Sequence, residues 1–180
     1  ISAHGCKMNK AITEGLVLMP PPFSAGLDLW SREDGLPVQG SYLGQANAAY
    51  VPSDQDFGGC LELQKTTTTQ KLRCFQNIPC QPGLYLRVTA RIKAMSGALP
   101  SVAIAGWAGT SGGANVTSAQ QVGPTVPLTG YGTVVTVSAI IGSGNRQGVD
   151  MVWGTAPAFG HFGLNLTGAN GGIVRIEDIQ

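Results

Sequence analysis

The residues best suited to catalysis form no recognisable catalytic set in this 180-residue sequence. Its carboxylates include the local pairs Glu33-Asp34, Asp54-x-Asp56 and Glu177-Asp178. A glycosidase needs two carboxylates about 5–10 Å apart across the sugar bond, whereas pairs so close in sequence usually cap turns, face solvent or hold calcium. No Gly-x-Ser-x-Gly, phosphate-binding loop or His-Glu-x-x-His motif is present. The sequence therefore predicts a domain that is not an enzyme.

Aromatic and basic side chains, by contrast, are spaced in a way that suits sugar binding. Apolar residues alternate through 84–94, so the aromatic and basic residues between them should share the other face of a strand. In the next predicted strand Trp107 lies on the face opposite the aliphatic residues. The two alanines beside it would leave its ring uncovered. Aromatic rings stack on the C–H faces of sugars, and basic groups hydrogen-bond hydroxyls. We predict one exposed carbohydrate-binding face made of Trp107, Tyr85, Arg87, Arg91 and Lys93.

Two other placements of these side chains stay open. Trp107 could belong to the core, with the cations on an ordinary solvated face. If the predicted face is not the site, the next candidates are aromatic residues of the loops, namely Trp30, Tyr42 and Tyr131. Of these, Trp30 is expected in the core, as is Trp153.

Composition favours a β-domain that neither binds nucleic acid nor inserts into a membrane. The chain has 26 glycines and 11 prolines but only 12% charged residues, about half the usual share of about 25%. That balance suits many short strands joined by tight turns. The net charge of +1 gives no electrostatic reason for nucleic-acid binding, and no apolar run reaches the ~18 residues of a membrane span.

Cysteine and histidine usage predicts neither a disulfide framework nor a zinc site. Residues 1–7 read as a vector-derived extension, which leaves the odd number of Cys60, Cys74 and Cys80 in the domain at 8–180. There is no Cys-x-x-Cys, and His161 is expected to be structural. Buried thiols in a core are the simplest interpretation.

About ten strands separated by turn signals predict a β-sandwich. An antiparallel jelly roll with less than about 10% helix is favoured over an immunoglobulin-like sandwich, which would show a Cys…Trp…Cys pattern. Thr66–Thr69 is expected to join two strands as a hairpin. The predicted strands are Leu27–Trp30, Gly58–Lys65, Gln70–Phe75, Leu84–Ala94, Ser101–Ala108, Pro124–Leu128, Thr133–Ile141, Val149–Trp153, His161–Thr167 and Val174–Ile179, with 11–19 as a further strand or arm.

Both ends of the domain carry a pattern seen in known modules. The chain opens on Phe23-x-x-Gly26…Trp30 and closes on Ile176-Glu177-Asp178-Ile179, and this resembles jelly-roll carbohydrate-binding modules. Together with 9–12, 19–23, 56–62 and 148–154, nearly all of 8–180 is similar to the N-terminal module of right-handed β-helix spike and lyase-like proteins. Head spikes of phage-like gene transfer particles, which attach to bacterial capsular polysaccharide, are among them.

The resemblance implies pairing of the first and last strands and a structural Ca²⁺ held by the closing acid. We accordingly expect Asp178 and Asp28 as calcium ligands. It also implies non-catalytic binding of bacterial capsular or extracellular polysaccharide, as the receptor-binding domain of a spike, outside the cell or on a virus-like particle. The alternatives are a structural or oligomerisation module of a fibre and a targeting module of a polysaccharide lyase. No signal peptide is recognised in this sequence.

Overall fold

The computed structural model describes residues 20–33, 40–74, 78–79, 83, 85–109, 121–142, 144, 146–152 and 159–180, with backbone alone at 78–79, 107–109 and 159–160. The expected vector-derived residues 1–7, the predicted strand or arm at 11–19 and Trp153 lie outside these ranges. So does Cys80.

The described strands form two sheets. Sheet A has the order β1-β4-β12-β7-β8, with β5 also paired to β12 and β9 to β7, and sheet B has the order β11-β10-β6-β13-β3-β2. Sheet A contains β1 (Trp30–Ser31), β4 (Gln70–Cys74), β5 (Ile78–Pro79), β7 (Ser101–Gly109), β8 (Gln121–Val122), β9 (Val126–Pro127) and β12 (Phe159–Thr167). Sheet B contains β2 (Ala48–Asp54), β3 (Gly58–Gln64), β6 (Tyr85–Ser96), β10 (Val135–Gly142), β11 (Met151–Val152) and β13 (Ile173–Ile176).

Neighbouring strands are antiparallel except for the short parallel pair β10–β11. The helical elements of the described ranges are two three-residue 3₁₀ turns, Phe23–Ala25 and Leu27–Leu29. Neither is long enough to cross a membrane, and no described helix is a candidate span. The predicted antiparallel jelly-roll sandwich is confirmed.

One hydrophobic core lies between the sheets, because alternate residues of each strand point inward. In β6 the inward residues are Val88, Ala90 and Ile92, and β12 supplies Phe162 and Leu164 from the opposite sheet. Side chains from β3, β4, β7, β10 and β13 join the same cluster. The period of two read from the sequence therefore decides which side chains face this core.

Three features of the predicted strand plan were wrong. Leu27–Leu29 is a 3₁₀ turn, and the strand begins only at Trp30. Strand β2 was missed, because this edge strand is largely exposed and shows no alternation of apolar and polar residues. Thr66–Thr69 is not a hairpin connection: β3 lies in sheet B and β4 in sheet A, since each buries its apolar face from opposite sides of one core.

The expected pairing of the first and last strands is also absent from the described ranges. Strand β13 lies between β3 and β6, while β1 pairs with β4 in the other sheet. The C-terminal residues after β13 continue along β6, where Gln180 and Thr89 exchange two backbone hydrogen bonds of 2.7 and 2.9 Å.

Candidate functional site

The five predicted binding residues do not share one face. Tyr85, Arg87, Arg91 and Lys93 point away from the core on β6 of sheet B, but Trp107 lies on β7 of sheet A. Trp107 pairs with His161 of β12, at a position whose parity is opposite to the core residues of β7. Placing Trp107 on the same face as the other four was wrong, because the chain passes from sheet B to sheet A between β6 and β7.

The outer side of sheet A is covered rather than open. Ala103 and Ala105, the neighbours expected to leave Trp107 uncovered, are 3% and 0% exposed. Arg73 is buried there and donates hydrogen bonds to the carbonyl of Leu164 at 2.9 Å and to Oδ1 of Asn165 at 3.0 Å. The side chain of Trp107 itself lies outside the described residues, so its role in binding stays a prediction.

His161 lies on the same buried side of sheet A and is 2% exposed. Burial, assisted by the positive charge of Arg73, lowers the pKa of His161 to about 4. The imidazole is therefore neutral at physiological pH.

Lys93 is not available to a ligand, which corrects its place in the predicted face. It is 3% exposed, and its Nζ lies 2.7 Å from Asp54 Oδ1 and 2.6 Å from Asp56 Oδ2. Burial disfavours the ammonium, but the hydrogen bonds with both carboxylates outweigh it and raise the pKa of Lys93. Its outward parity was predicted correctly; the loop after β2 then folds over it.

Asp54 is the centre of this ion network. Arg175 donates to Asp54 at 2.8 Å and to Glu62 at 3.0 Å. Burial works against the charge of Asp54, yet hydrogen bonds from Lys93 and Arg175 hold the pKa of that carboxyl well below its usual range. Asp54 also accepts from the backbone amides of Asp56 and Phe57, so it caps the turn as the Asp54-x-Asp56 spacing suggests.

The part of sheet B that remains accessible is a polar strip on β6 and β10, called here the β6–β10 strip. Arg87, Thr89 and Arg91 lie directly across from Ile140, Ser138 and Thr136. Arg87, Thr136 and Ser138 are exposed and the other three are half-buried. The strip thus presents two guanidinium groups and three hydroxyls on a flat surface.

Arg91 is held in place without being hidden. It forms an ion pair with Glu177 at 2.9 Å, and its side chain remains 42% exposed. Its guanidinium carbon also lies 5.4 Å from the centre of the Phe57 ring, within the range of a cation–π contact. These two contacts favour one orientation of the guanidinium.

Tyr85 marks one end of the β6–β10 strip. Its ring lies over Gly142, where any Cβ would collide with it, and the Arg146 guanidinium carbon is 5.3 Å from the ring centre. Glycine at 142 is thus required by the close approach of the ring.

A shallow depression lies on the opposite margin of sheet B. Its volume is about 110 Å³ and its lining includes Asn47, Ala49, Glu62, Gln64 and Ile173. Enclosed small-molecule sites measure about 300–1,000 Å³, so this depression suits contact with part of an extended ligand.

The two predicted calcium ligands are associated with two consecutive 3₁₀ turns. Asp178 Oδ1 accepts a hydrogen bond of 2.9 Å from the backbone amide of Phe23 in the first turn, and Asp28 lies in the second turn. Within the described ranges no three His, Cys, Asp or Glu side chains form a metal-holding group. A cation held by these two residues would need backbone carbonyls as additional ligands.

The three loop aromatics have different environments. Trp30 and Tyr42 are fully buried; Tyr42 donates to the carbonyl of Lys71 and accepts from Gln70 at 2.8 Å. Burial raises the pKa of Tyr42 to about 12. Tyr131 is 58% exposed and is the loop candidate that still faces solvent.

Comparison with known proteins identifies the fold but no sequence family. No protein-family profile matches the chain, and no curated protein matches its sequence. The C-terminal family 22 carbohydrate-binding module of Clostridium thermocellum Xyn10B is similar in structure, with a TM-score of 0.57 and 10% identity over 92% of this chain and 91% of that one. The CBM22-1 xylan-binding domain of Paenibacillus barcinonensis Xyn10C has a TM-score of 0.54 and 10% identity over 84% and 83%.

A phage protein has the same architecture. The enzymatically active domain of bacteriophage CBA120 tailspike protein 4 gives a TM-score of 0.52 and 16% identity over 86% of this chain, which spans only 19% of the tailspike chain. Because each identity is far below 25%, these likenesses concern the fold. The chain has the jelly-roll fold of carbohydrate-binding modules.

Proposed function

We propose that this domain binds an extracellular bacterial polysaccharide without cleaving it. The observation that carries the proposal is an open polar strip on a fold similar to that of xylan-binding modules. The fold alone does not determine function, so the proposal depends on what the β6–β10 strip can do.

The β6–β10 strip suits a long hydroxylated ligand. Arg87 and Arg91 offer charge-assisted hydrogen bonds to carboxylates or other acidic substituents on the sugar. Thr89, Thr136 and Ser138 offer hydroxyls spaced along two strands. The surface is flat, so contacts are solvated and the affinity of one domain should be modest.

The ion pairs of sheet B support a binding role over catalysis. Asp54, Asp56, Glu62 and Glu177 are each engaged with Lys or Arg at 2.6–3.0 Å. Glycoside hydrolysis needs one protonated acid and one free carboxylate flanking the sugar. Cationic partners occupy all four of these carboxylates, so none of the four stands free beside a bound sugar.

The proposed setting is the receptor-binding domain of a phage-like or gene-transfer-particle spike. The tailspike likeness supports this setting, and the small share of the tailspike that is matched leaves room for further domains. Several copies on one spike would strengthen weak binding through effective concentration.

Binding to purified capsular polysaccharides, measured on a glycan array and then by calorimetry, tests the proposal. Arg87→Ala/Arg91→Ala should weaken binding at least about tenfold, whereas Lys71→Ala, which removes a positive charge from sheet A, serves as the control and should bind normally. If Trp107→Ala abolishes binding and the arginine variant does not, the ligand lies on sheet A instead.

A structural or oligomerisation module of a fibre is the alternative, and a targeting module of a lyase is another. A wild-type domain that binds no glycan and forms a concentration-dependent oligomer would favour the structural role. If the parent chain cleaves polysaccharide and this domain alone does not, the targeting role is favoured.

We also propose that Asp28 and Asp178 hold a calcium ion. The support is that Asp178 accepts from the amide of Phe23 in the first 3₁₀ turn, while Asp28 lies in the consecutive second turn. A ligand that binds only the folded state raises the melting temperature. Excess Ca²⁺ should therefore stabilise the wild type relative to chelator and leave Asp178→Asn unchanged; equal melting temperatures for the wild type would refute the site.

A further inference from the structure

We infer a second binding site, for an uncharged saccharide, at the end of the sandwich where four turns lie side by side. These turns are 65–69, 96–100, 128–134 and 168–172, called here the tip. The tip is separate from the β6–β10 strip, so the inference goes beyond the proposed function and does not depend on it.

Tyr131 supplies the stacking surface. It is 58% exposed, and its hydroxyl donates a hydrogen bond of 2.6 Å to the carbonyl of Gly97. Its backbone forms a β-bridge with Ala94, and the amide of Gly132 donates a hydrogen bond of 2.8 Å to the carbonyl of Ala94. A ring fixed at both ends and open to solvent loses little conformational entropy when a sugar stacks on it.

The turns beside Tyr131 are rigid because they pack backbone against backbone. Gly97 has φ 75°, and a Cβ there would collide with the carbonyl of Gly171. A Cβ on Gly172 would likewise collide with the carbonyl of Ala98. These glycines let the 96–100 and 168–172 turns touch, which sets the position of Tyr131 relative to the rest of the tip.

A buried lysine joins the remaining turn. Lys65 is 0% exposed, and its Nζ donates to the carbonyls of Thr67 at 2.6 Å and Gly168 at 2.7 Å and to Asn170 Oδ1 at 2.7 Å. An ammonium buried among neutral oxygens is costly, and burial lowers the pKa of Lys65. Through these bonds Lys65 ties the 65–69 turn to the 168–172 turn.

The exposed chemistry of the tip selects an uncharged ligand. The exposed side chains of the four fully described turns include hydroxyls and an amide but no Asp, Glu, Lys or Arg. Besides Tyr131, the tip exposes one large apolar side chain, Leu99, which is 39% exposed. The exposed polar side chains of the tip are Thr66, Thr67, Thr68, Ser96, Thr129, Thr133 and Asn170. This set matches the hydroxyls and the C–H faces of a neutral sugar.

Titration of the ¹⁵N-labelled domain with xylohexaose, cellohexaose and maltohexaose tests the inference. At least one hexasaccharide should shift the amide resonances of Gly97, Gly132 and Gly171. Affinity should fall about tenfold or more in Tyr131→Ala, while the control Tyr50→Ala, an exposed tyrosine of β2, should bind as the wild type does.

Two further comparisons separate this site from the β6–β10 strip. Arg87→Ala/Arg91→Ala should keep neutral-sugar binding at the tip, and about 0.5 M salt should not weaken it, because no ion pair is made. No shift of the tip amides with any of the three sugars would overturn the inference, and so would unchanged affinity in Tyr131→Ala that retains the wild-type spectrum.

Discussion

Lys93 shows at the residue scale how one side chain can fit a sequence pattern and still serve another purpose. Its outward position on β6 follows from alternation alone, but its use is set by Asp54 and Asp56, which are 39 and 37 residues away in sequence. Alternation says which way a side chain points and says nothing about what covers it. The parity was therefore predictable, and the ion network was not.

We predict that Lys93→Ala destabilises the domain by about 3–5 kcal/mol, because it leaves the buried Asp54 carboxylate short of a cation. The control Arg87→Ala, an exposed residue on the same strand, should change stability by less than about 0.5 kcal/mol. Urea unfolding measures both. A Lys93→Ala domain as stable as the wild type would show that Arg175 alone satisfies Asp54.

At the scale of single elements, prediction succeeded where a strand is buried on one face. Strands β6 and β12 bury alternate or nearly all residues and were located within about two residues. Strand β2 failed because an edge strand with both sides partly exposed has no period to read. The β3–β4 connection was predicted wrongly because a short polar run is equally suited to a hairpin and to a crossover between sheets.

Strand β12 carries the pH dependence of stability through His161. Its folded pKa of about 4 lies below the ordinary 6.5, so the unfolded chain binds more protons between these values. Stability must therefore fall as pH decreases from 6.5 towards 4, by up to about 1.4 kcal/mol per pH unit. The Asp54 pKa is depressed, so its contribution is lost only at lower pH.

Melting temperatures recorded across this pH range should decrease steeply for the wild type. His161→Asn should flatten the dependence even if its melting temperature near neutral pH is lower. Parallel curves for the two proteins would assign the acid sensitivity to groups other than His161.

At the scale of the whole molecule, the two sheets share one core and should therefore behave as one cooperative unit. Side chains of both sheets belong to a single buried cluster that includes Trp30. The fold class could be predicted from the sequence because composition and strand spacing are properties of the entire chain. Assignment of β6 and β7 to different sheets did not, since it depends on contacts between distant segments.

We expect one unfolding transition for this unit. Far-ultraviolet circular dichroism and tryptophan fluorescence should give the same midpoint in urea, and Lys93→Ala should move both together although Lys93 lies outside the core. Separate midpoints would mean that one sheet can unfold while the other persists.

The burial of Lys65 and Lys93 also affects how the domain can be labelled. Both ε-amines are enclosed and hydrogen-bonded, so amine-reactive dyes and coupling resins should reach them slowly. Among the lysines of the described ranges, Lys71 on sheet A is the accessible one. Among the described lysines, biotin or a fluorophore attached through amines should therefore modify Lys71 and spare Lys65 in the tip and Lys93 in the ion network of sheet B.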